Sequence, residues 1–186
     1  MTLILKALEF AKLKHTGQVR RGTGAAYITH PIAVSYLVGT YKKSKQIDEL
    51  LVASLLHDTI EDTDATFDEI AREFTPLVAS LVLELTNDNE QIAKVGKLEY
   101  QKKKLLGISN YGLVIKLADR LNNVCDQPTK KMLSQTIELM TFILENRQLS
   151  LSHQKMVFDI QSVCTLKLAS IKKMEHKHEY VQNFQS

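Results

Sequence analysis

Leu55 and Leu56 close an apolar run, and the chain then reads His57, Asp58, Thr59, Ile60, Glu61, Asp62, Thr63. An imidazole and several carboxylates thus stand at the mouth of a core-forming segment, where unpaired charge is costly. His57 and Glu61 are four residues apart, and so are Asp58 and Asp62. On a helix end each pair shares a face, and the two faces lie about 100° apart around the axis. One short segment can then offer two metal ligands and two further acids to one cavity. His30, just before Pro31, and Asp119 supply donors from elsewhere in the chain. Lys116, Asp119 and Asn123 fall at i, i+3 and i+7, a polar stripe on an otherwise apolar helix. Such a stripe facing a core must find partners, and a metal ion is one. Two imidazoles and two carboxylates suit manganese, iron or zinc, and the oxygen content favours manganese. A divalent ion acidifies water and stabilises charge on a phosphoryl oxygen. Glu61 and Asp62 are then placed to orient or deprotonate that water. The chemistry is hydrolytic and needs neither a redox cofactor nor a covalent nucleophile.

Each of these features has a plain reading when taken alone. A lone His-Asp pair usually marks a helix end with a hydrogen bond. His30 can be an N-cap or a satisfied core histidine, and Asp119-Arg120 an ion pair. The joint case is stronger, because ligand type and context agree in three separate places. Arg20 and Arg21, beside Gly22 and Gly24, read either as a solvated loop or as a phosphate clamp. Lys102, Lys103 and Lys104 read as a solvated helix face. His15, His153, His176 and His178 read as surface residues, and Cys125 and Cys164 as small packing residues.

The elements that must hold this chemistry read as a string of helices. The chain has 186 residues, 44% hydrophobic and 24% charged, with 7 glycines, 3 prolines and no tryptophan. That size makes one domain with a sizeable core the default. Thr2 caps a first helix that stops at Gly17, and residues 18–29 form a loop. A second helix begins at His30-Pro31, and Asp48 caps a third that runs into His57-Asp58. Thr66 to Glu69 is a capping box, and Thr75-Pro76 opens the next helix. Residues 87–96 read as a flexible polar loop and 97–106 as a basic helix. Residues 113–124 form a central helix, apolar on most sides. Two longer amphipathic helices follow, over 130–145 and 152–180. No segment alternates as a strand does, so the fold class is all-α. The net charge of +3 argues against a nucleic-acid partner. No window is apolar enough for a membrane span or a signal peptide, and two cysteines make no disulfide framework. The expected setting is a reducing one, the cytoplasm, with the oligomeric state left open between a monomer and a homo-oligomer.

Three segments together, His15 to Pro31, Leu55 to Thr63 and Ile115 to Asn123, resemble the HD-superfamily phosphohydrolases. More narrowly they resemble the hydrolase domain of the RelA/SpoT alarmone enzymes and the stand-alone small alarmone hydrolases. The motifs run in the right order within residues 5–126. The resemblance implies a single HD-type helical domain over 1–186, with 127–186 as additional C-terminal helices. It implies one manganese ion and removal of the 3′-pyrophosphate from guanosine tetra- or pentaphosphate, a small-molecule substrate. By position, His30, His57, Asp58 and Asp119 match the metal ligands, and Glu61 and Asp62 the catalytic pair. Arg20 and Arg21 match the basic pair near the nucleotide. Tyr27 lies in the same segment, Asn123 matches a substrate-pocket asparagine, and Lys97 a pocket lysine. The chain is too short for the family's synthetase domain as well.

Three positions depart from the family pattern. Ala25-Ala26 stands where an acidic residue or glycine is followed by proline. Asn122 replaces a histidine or tyrosine, and Cys125 an arginine. Hydrolysis is therefore expected to survive, while a rim lacking a ring and a cation is expected to loosen base preference. Two other functions compete: phosphatase action on another nucleotide such as NADPH, and nucleotide binding by an inactive regulator. The complete metal and acid set argues against the second.

Overall fold

The computed structural model describes residues 2–183, with side chains through residue 175. Few breakers and regular apolar spacing give eleven helical segments among the described residues. Apart from the helices there is an isolated antiparallel bridge between Val19 and Ala26. The helices are α1 Leu3–Lys14, α2 Thr29–Tyr41, α3 Ile47–Leu56, α4 Thr59–Asp62, α5 Phe67–Glu73 and α6 Pro76–Leu85. They continue with α7 Asn89–Val95, α8 Lys97–Gly107, α9 Asn110–Cys125, α10 Lys130–Asn146 and α11 Leu151–Asn183. The all-α reading holds. No described helix is long and apolar enough to cross a membrane.

Side-chain caps set many of the starts. Thr2, Thr66, Thr75 and Thr129 each accept a backbone N–H from the first turn of the helix that follows. At Thr66 only half of the capping box forms, because Glu69 pairs with Lys14 at 3.0 Å. Asp48 is not a cap. α3 starts at Ile47 after Gln46, and Asp48 lies in its first turn, where a carboxylate still favours the helix dipole. The segment read as a flexible loop, 87–96, contains α7, capped by Asp88 and ended by Gly96 at φ 84°. It buries none of its residues, so it carries no apolar period to betray it.

α9 is the axle of the fold. Leu113, Val114, Ile115, Leu117, Ala118, Leu121 and Val124 are all buried. It packs on α2 and α11, and also touches α3, α6 and α10. α2 lies across α3, and α3 meets α1 and α6. α10 and α11 pair with each other and close over α8 and α9. The helix expected to run into His57-Asp58 instead breaks there. α3 ends at Leu56, and Asp58 has φ −101° and ψ −2° before α4 restarts at Thr59. The buried Thr59 hydroxyl donates to the Leu56 carbonyl at 2.7 Å and so seals the break. The break turns His57 inward, 1% exposed, and leaves Asp58 at the edge of a cleft.

The corner between α8 and α9 is tight. Glu84 accepts the Ser109 backbone N–H at 2.6 Å and its hydroxyl at 2.7 Å. A Cβ on Gly112 would lie 2.6 Å from Ile108 Cγ1 and would strike the Glu84 carboxylate. Gly112→Ala is expected to cost about 1–3 kcal/mol of stability through overpacking, measured by chemical denaturation. An unchanged midpoint would show that this corner is loose.

Candidate active site and metal centre

Three chain segments deliver four donor residues to one point. His30 projects from the first turn of α2, His57 and Asp58 from the α3–α4 break, and Asp119 from the polar strip of α9. Donor atoms of His30, His57 and Asp119 all lie within 4.8 Å of one another. Asp58 Oδ2 is 3.0 Å from His57 Nε2 and 3.6 Å from His30 Nε2. His30 Nε2 is 3.3 Å from Asp119 Oδ1.

The outer nitrogens show which way the rings are committed. His57 Nδ1 donates to the Ser54 carbonyl at 2.8 Å, and His30 Nδ1 donates to Asn122 Oδ1 at 2.7 Å. Both Nε2 atoms therefore face the centre. His57 Nε2 is buried and has no hydrogen-bond partner. Its 3.0 Å approach to Asp58 Oδ2 calls for positive charge between the two atoms, either a proton on Nε2 or a metal ion. The residues present therefore fit a divalent ion. Burial alone would raise both carboxyls. Lys116 and His30 hold Asp119 well below the usual carboxylate range, and His57 and His30 do the same for Asp58. Burial alone would lower the His30 pKa, but Asp119 and Asp58 outweigh it and push it up to about 9.

Asp62 and Glu61 flank this centre in α4. Burial, Asp58 and Glu61 raise the Asp62 pKa above the usual carboxylate value. Tyr27 donates to Asp58 Oδ2 at 2.6 Å and reaches Asp62 Oδ2 at 3.3 Å. Burial and Asp58 keep its hydroxyl protonated, with the pKa raised far above the usual value. Glu61 has both oxygens engaged by Asn87, one by the backbone N–H and one by the side-chain amide, each at 3.0 Å.

The centre lies in a cleft of about 620 Å³. Arg20, Arg21, Lys97, Lys116, Arg120 and Lys131 line it together with the carboxylates. Arg20 sits on a turn closed by Gly24 at φ 70°, with Arg20 N donating to Ala25 O at 2.8 Å. Its guanidinium donates to Asp126 Oδ2 and to Asn123 Oδ1, each at 2.9 Å. Asn123 donates in turn to Asp119 Oδ1 at 2.5 Å. Arg20 is thus linked to the Asp119 carboxylate through one amide.

The residues matched from sequence to metal, catalytic and substrate roles all border this cleft, apart from the buried His57. Tyr27 lines the cleft with its hydroxyl spent on Asp58 and Asp62 rather than free. Asn122 is not a rim residue. Its side chain faces His30, so the position departs from the family in how a histidine is held, not in how a base is stacked. Cys125 is exposed, and its carbonyl accepts Lys167 at 2.8 Å.

Two histidines read as surface residues are buried, His15 at 4% exposed and His153 at 0%. His153 Nε2 meets the Asn110 carbonyl at 3.1 Å. His176 and His178 lie outside the described side chains. His15 belongs to the site: its ring lies 4.7 Å from that of Tyr27, and its Nδ1 pairs with Gln18 Oε1 at 2.8 Å. Gln18 Nε2 donates to the Asp62 carbonyl at 2.8 Å. The signal was present: Ala7, Ala11 and His15 continue one buried stripe at four-residue spacing.

Comparison with known proteins agrees with this fold. An HD domain family profile matches residues 7–139. The guanosine-3′,5′-bis(diphosphate) 3′-pyrophosphohydrolase of Aquifex aeolicus is 37% identical over 151 residues, 73% of this chain but 20% of that protein. The human enzyme of the same name, MESH1, is 38% identical over 124 residues, 66% of this chain and 68% of its own. The chain thus spans about a fifth of the first relative and about two thirds of the second. A solved structure of a metazoan SpoT ortholog, described as hydrolysing ppGpp, superposes with TM-score 0.74 at 26% identity, covering 90% of this chain and 96% of that one. The chain belongs to the HD-domain family.

Asn122 orients one of the histidines that face the centre. Asn122→Ala is expected to weaken divalent-ion binding about 10- to 100-fold, the usual effect of removing an outer partner of a metal-ligating histidine. Calorimetric titration of chelator-stripped protein measures it. Equal affinity in the variant would show that Asn122 does not set the ring.

Proposed function

We propose that this chain is a manganese-dependent pyrophosphohydrolase. Its substrate is guanosine tetra- or pentaphosphate, and water cleaves the 3′-pyrophosphate to give GDP or GTP and pyrophosphate. The observation that carries the reading is the convergence of His30, His57, Asp58 and Asp119 at a cleft that guanidinium and ammonium groups also line. The relatives' names supply the substrate class. Oxygen-rich ligation favours manganese, with iron or zinc as the alternatives.

His30, His57, Asp58 and Asp119 would hold the ion. When bound, it supplies Lewis acidity toward a phosphoryl oxygen and lowers the pKa of water. The protein groups do the rest. Glu61, immobilised by Asn87, orients the attacking water. Asp62, with its raised pKa, takes the proton. Tyr27 keeps Asp58 and Asp62 in register by donating to both. Arg20, Arg21, Lys97 and Asn123 bind the nucleotide's phosphates and sugar edge. Arg20 must trade its contact with Asp126 for a phosphate oxygen, so Asp126 acts as a placeholder that keeps the guanidinium aimed.

The test is turnover by purified protein with manganese of guanosine tetraphosphate, NADPH and common nucleotides, with products identified. Release of pyrophosphate and GDP from the first is expected. Cleavage of another nucleotide alone would replace the substrate assignment. Glu61→Gln is expected to keep its metal and lose about 100-fold or more in kcat. Arg20→Ala is expected to raise KM roughly 10-fold, the scale of one charge-assisted hydrogen bond, with kcat little changed. An unchanged KM would leave Arg20 outside the binding site.

A further inference from the structure

Lys104 lies in the lysine run read as a solvated face, yet it turns inward from α8. Its Nζ donates to the Thr86 carbonyl at 2.6 Å and the Leu85 carbonyl at 2.9 Å. It also lies 3.4 Å from Asn87 Oδ1 and 3.4 Å from the Tyr100 hydroxyl. The Tyr100 hydroxyl accepts the Asp88 backbone N–H at 2.8 Å. The end of α6 and residues 86–88 are therefore pinned to α8 by one amine and one phenol.

The Thr86 carbonyl and the Asn87 N–H are the two ends of a single peptide group. That group is planar, so fixing its oxygen fixes the direction of its N–H. The N–H points at Glu61 Oε2, and the Asn87 amide holds Oε1. A cation on the carbonyl also polarises the peptide and strengthens the N–H as a donor. We propose that Lys104 is a positioning residue for Glu61, acting through the peptide group between Thr86 and Asn87. The inference rests on the proposed role of Glu61 in the reaction.

A plain helix cap would satisfy the last carbonyls of α6 equally well from solvent. Lys104 is instead half-buried, and burial together with Lys116 pulls its pKa down to about 8. Glu61, Glu84 and Asp88 act on it in the opposite sense. The chain keeps a partly desolvated charge directly behind the loop that grips Glu61.

A double-mutant cycle separates positioning from general support. Lys104→Met is expected to lower kcat about 10-fold, a coupling within the range seen for residues sharing one network. KM and manganese affinity should stay within about twofold, since no ligand or phosphate contact is removed. Lys104→Arg should recover part of the loss. In a Glu61→Gln background, Lys104→Met should cost almost nothing further, because the carboxylate it aligns is gone. The same 10-fold loss in both backgrounds would overturn the proposal. If Lys104→Met loses its cooperative melting transition, the cycle is read with Lys104→Arg, for which equal losses in both backgrounds are again decisive. Full kcat in Glu61→Gln alone would instead overturn the assignment of Glu61, and the proposal with it.

Discussion

The structure depends on an imidazole nitrogen with nothing to bond. His57 Nε2 is buried, and it faces the Asp58 carboxylate at 3.0 Å because its other nitrogen is committed to the Ser54 carbonyl. Two such buried atoms cost free energy unless a proton or a metal ion lies between them. Much of the nearby architecture keeps this arrangement from relaxing. The break after α3 exists at the point where a continuous helix would separate His57 from Asp58. Thr59 stitches the break, the Ser54 carbonyl holds the first imidazole, Asn122 holds the second, and Tyr27 holds Asp58. Stability given up at the centre is recovered in the apolar core around α9.

The same constraint orders the groups around the centre. Asp119, Asn123, Arg20 and Asp126 form one hydrogen-bonded chain from the buried carboxylate to the cleft wall. On the other side, His15 and Gln18 support Tyr27 and the Asp62 backbone. Glu61 is held from a third side by Asn87. A site preorganised from three directions leaves little to rearrange when charge develops on a phosphoryl oxygen.

Much of this was legible in the sequence, for definite reasons. His57-Asp58 and Glu61-Asp62 interrupt an apolar run, and Asp119 interrupts a buried helix; either intrusion demands partners. The caps at Thr2, Thr66 and Thr75 are local, so their residue types announce them. What was not legible depends on neighbours distant in sequence. Asn122 meets His30 across 92 positions, and nothing local separates that role from a rim residue. Lys104 has the same composition around it as its solvated neighbours, and only the end of α6 turns it inward. α7 lacks an apolar stripe because it lies on the surface against α8.

The central claim is that these four side chains form one cation site. A crystal grown with manganese, with data collected at the manganese absorption edge, tests it most directly. The account predicts a single anomalous peak per chain within bonding distance of His30 Nε2, His57 Nε2 and carboxylate oxygens of Asp58 and Asp119. A peak bound elsewhere, with His57 Nε2 still free of any ligand, would contradict it.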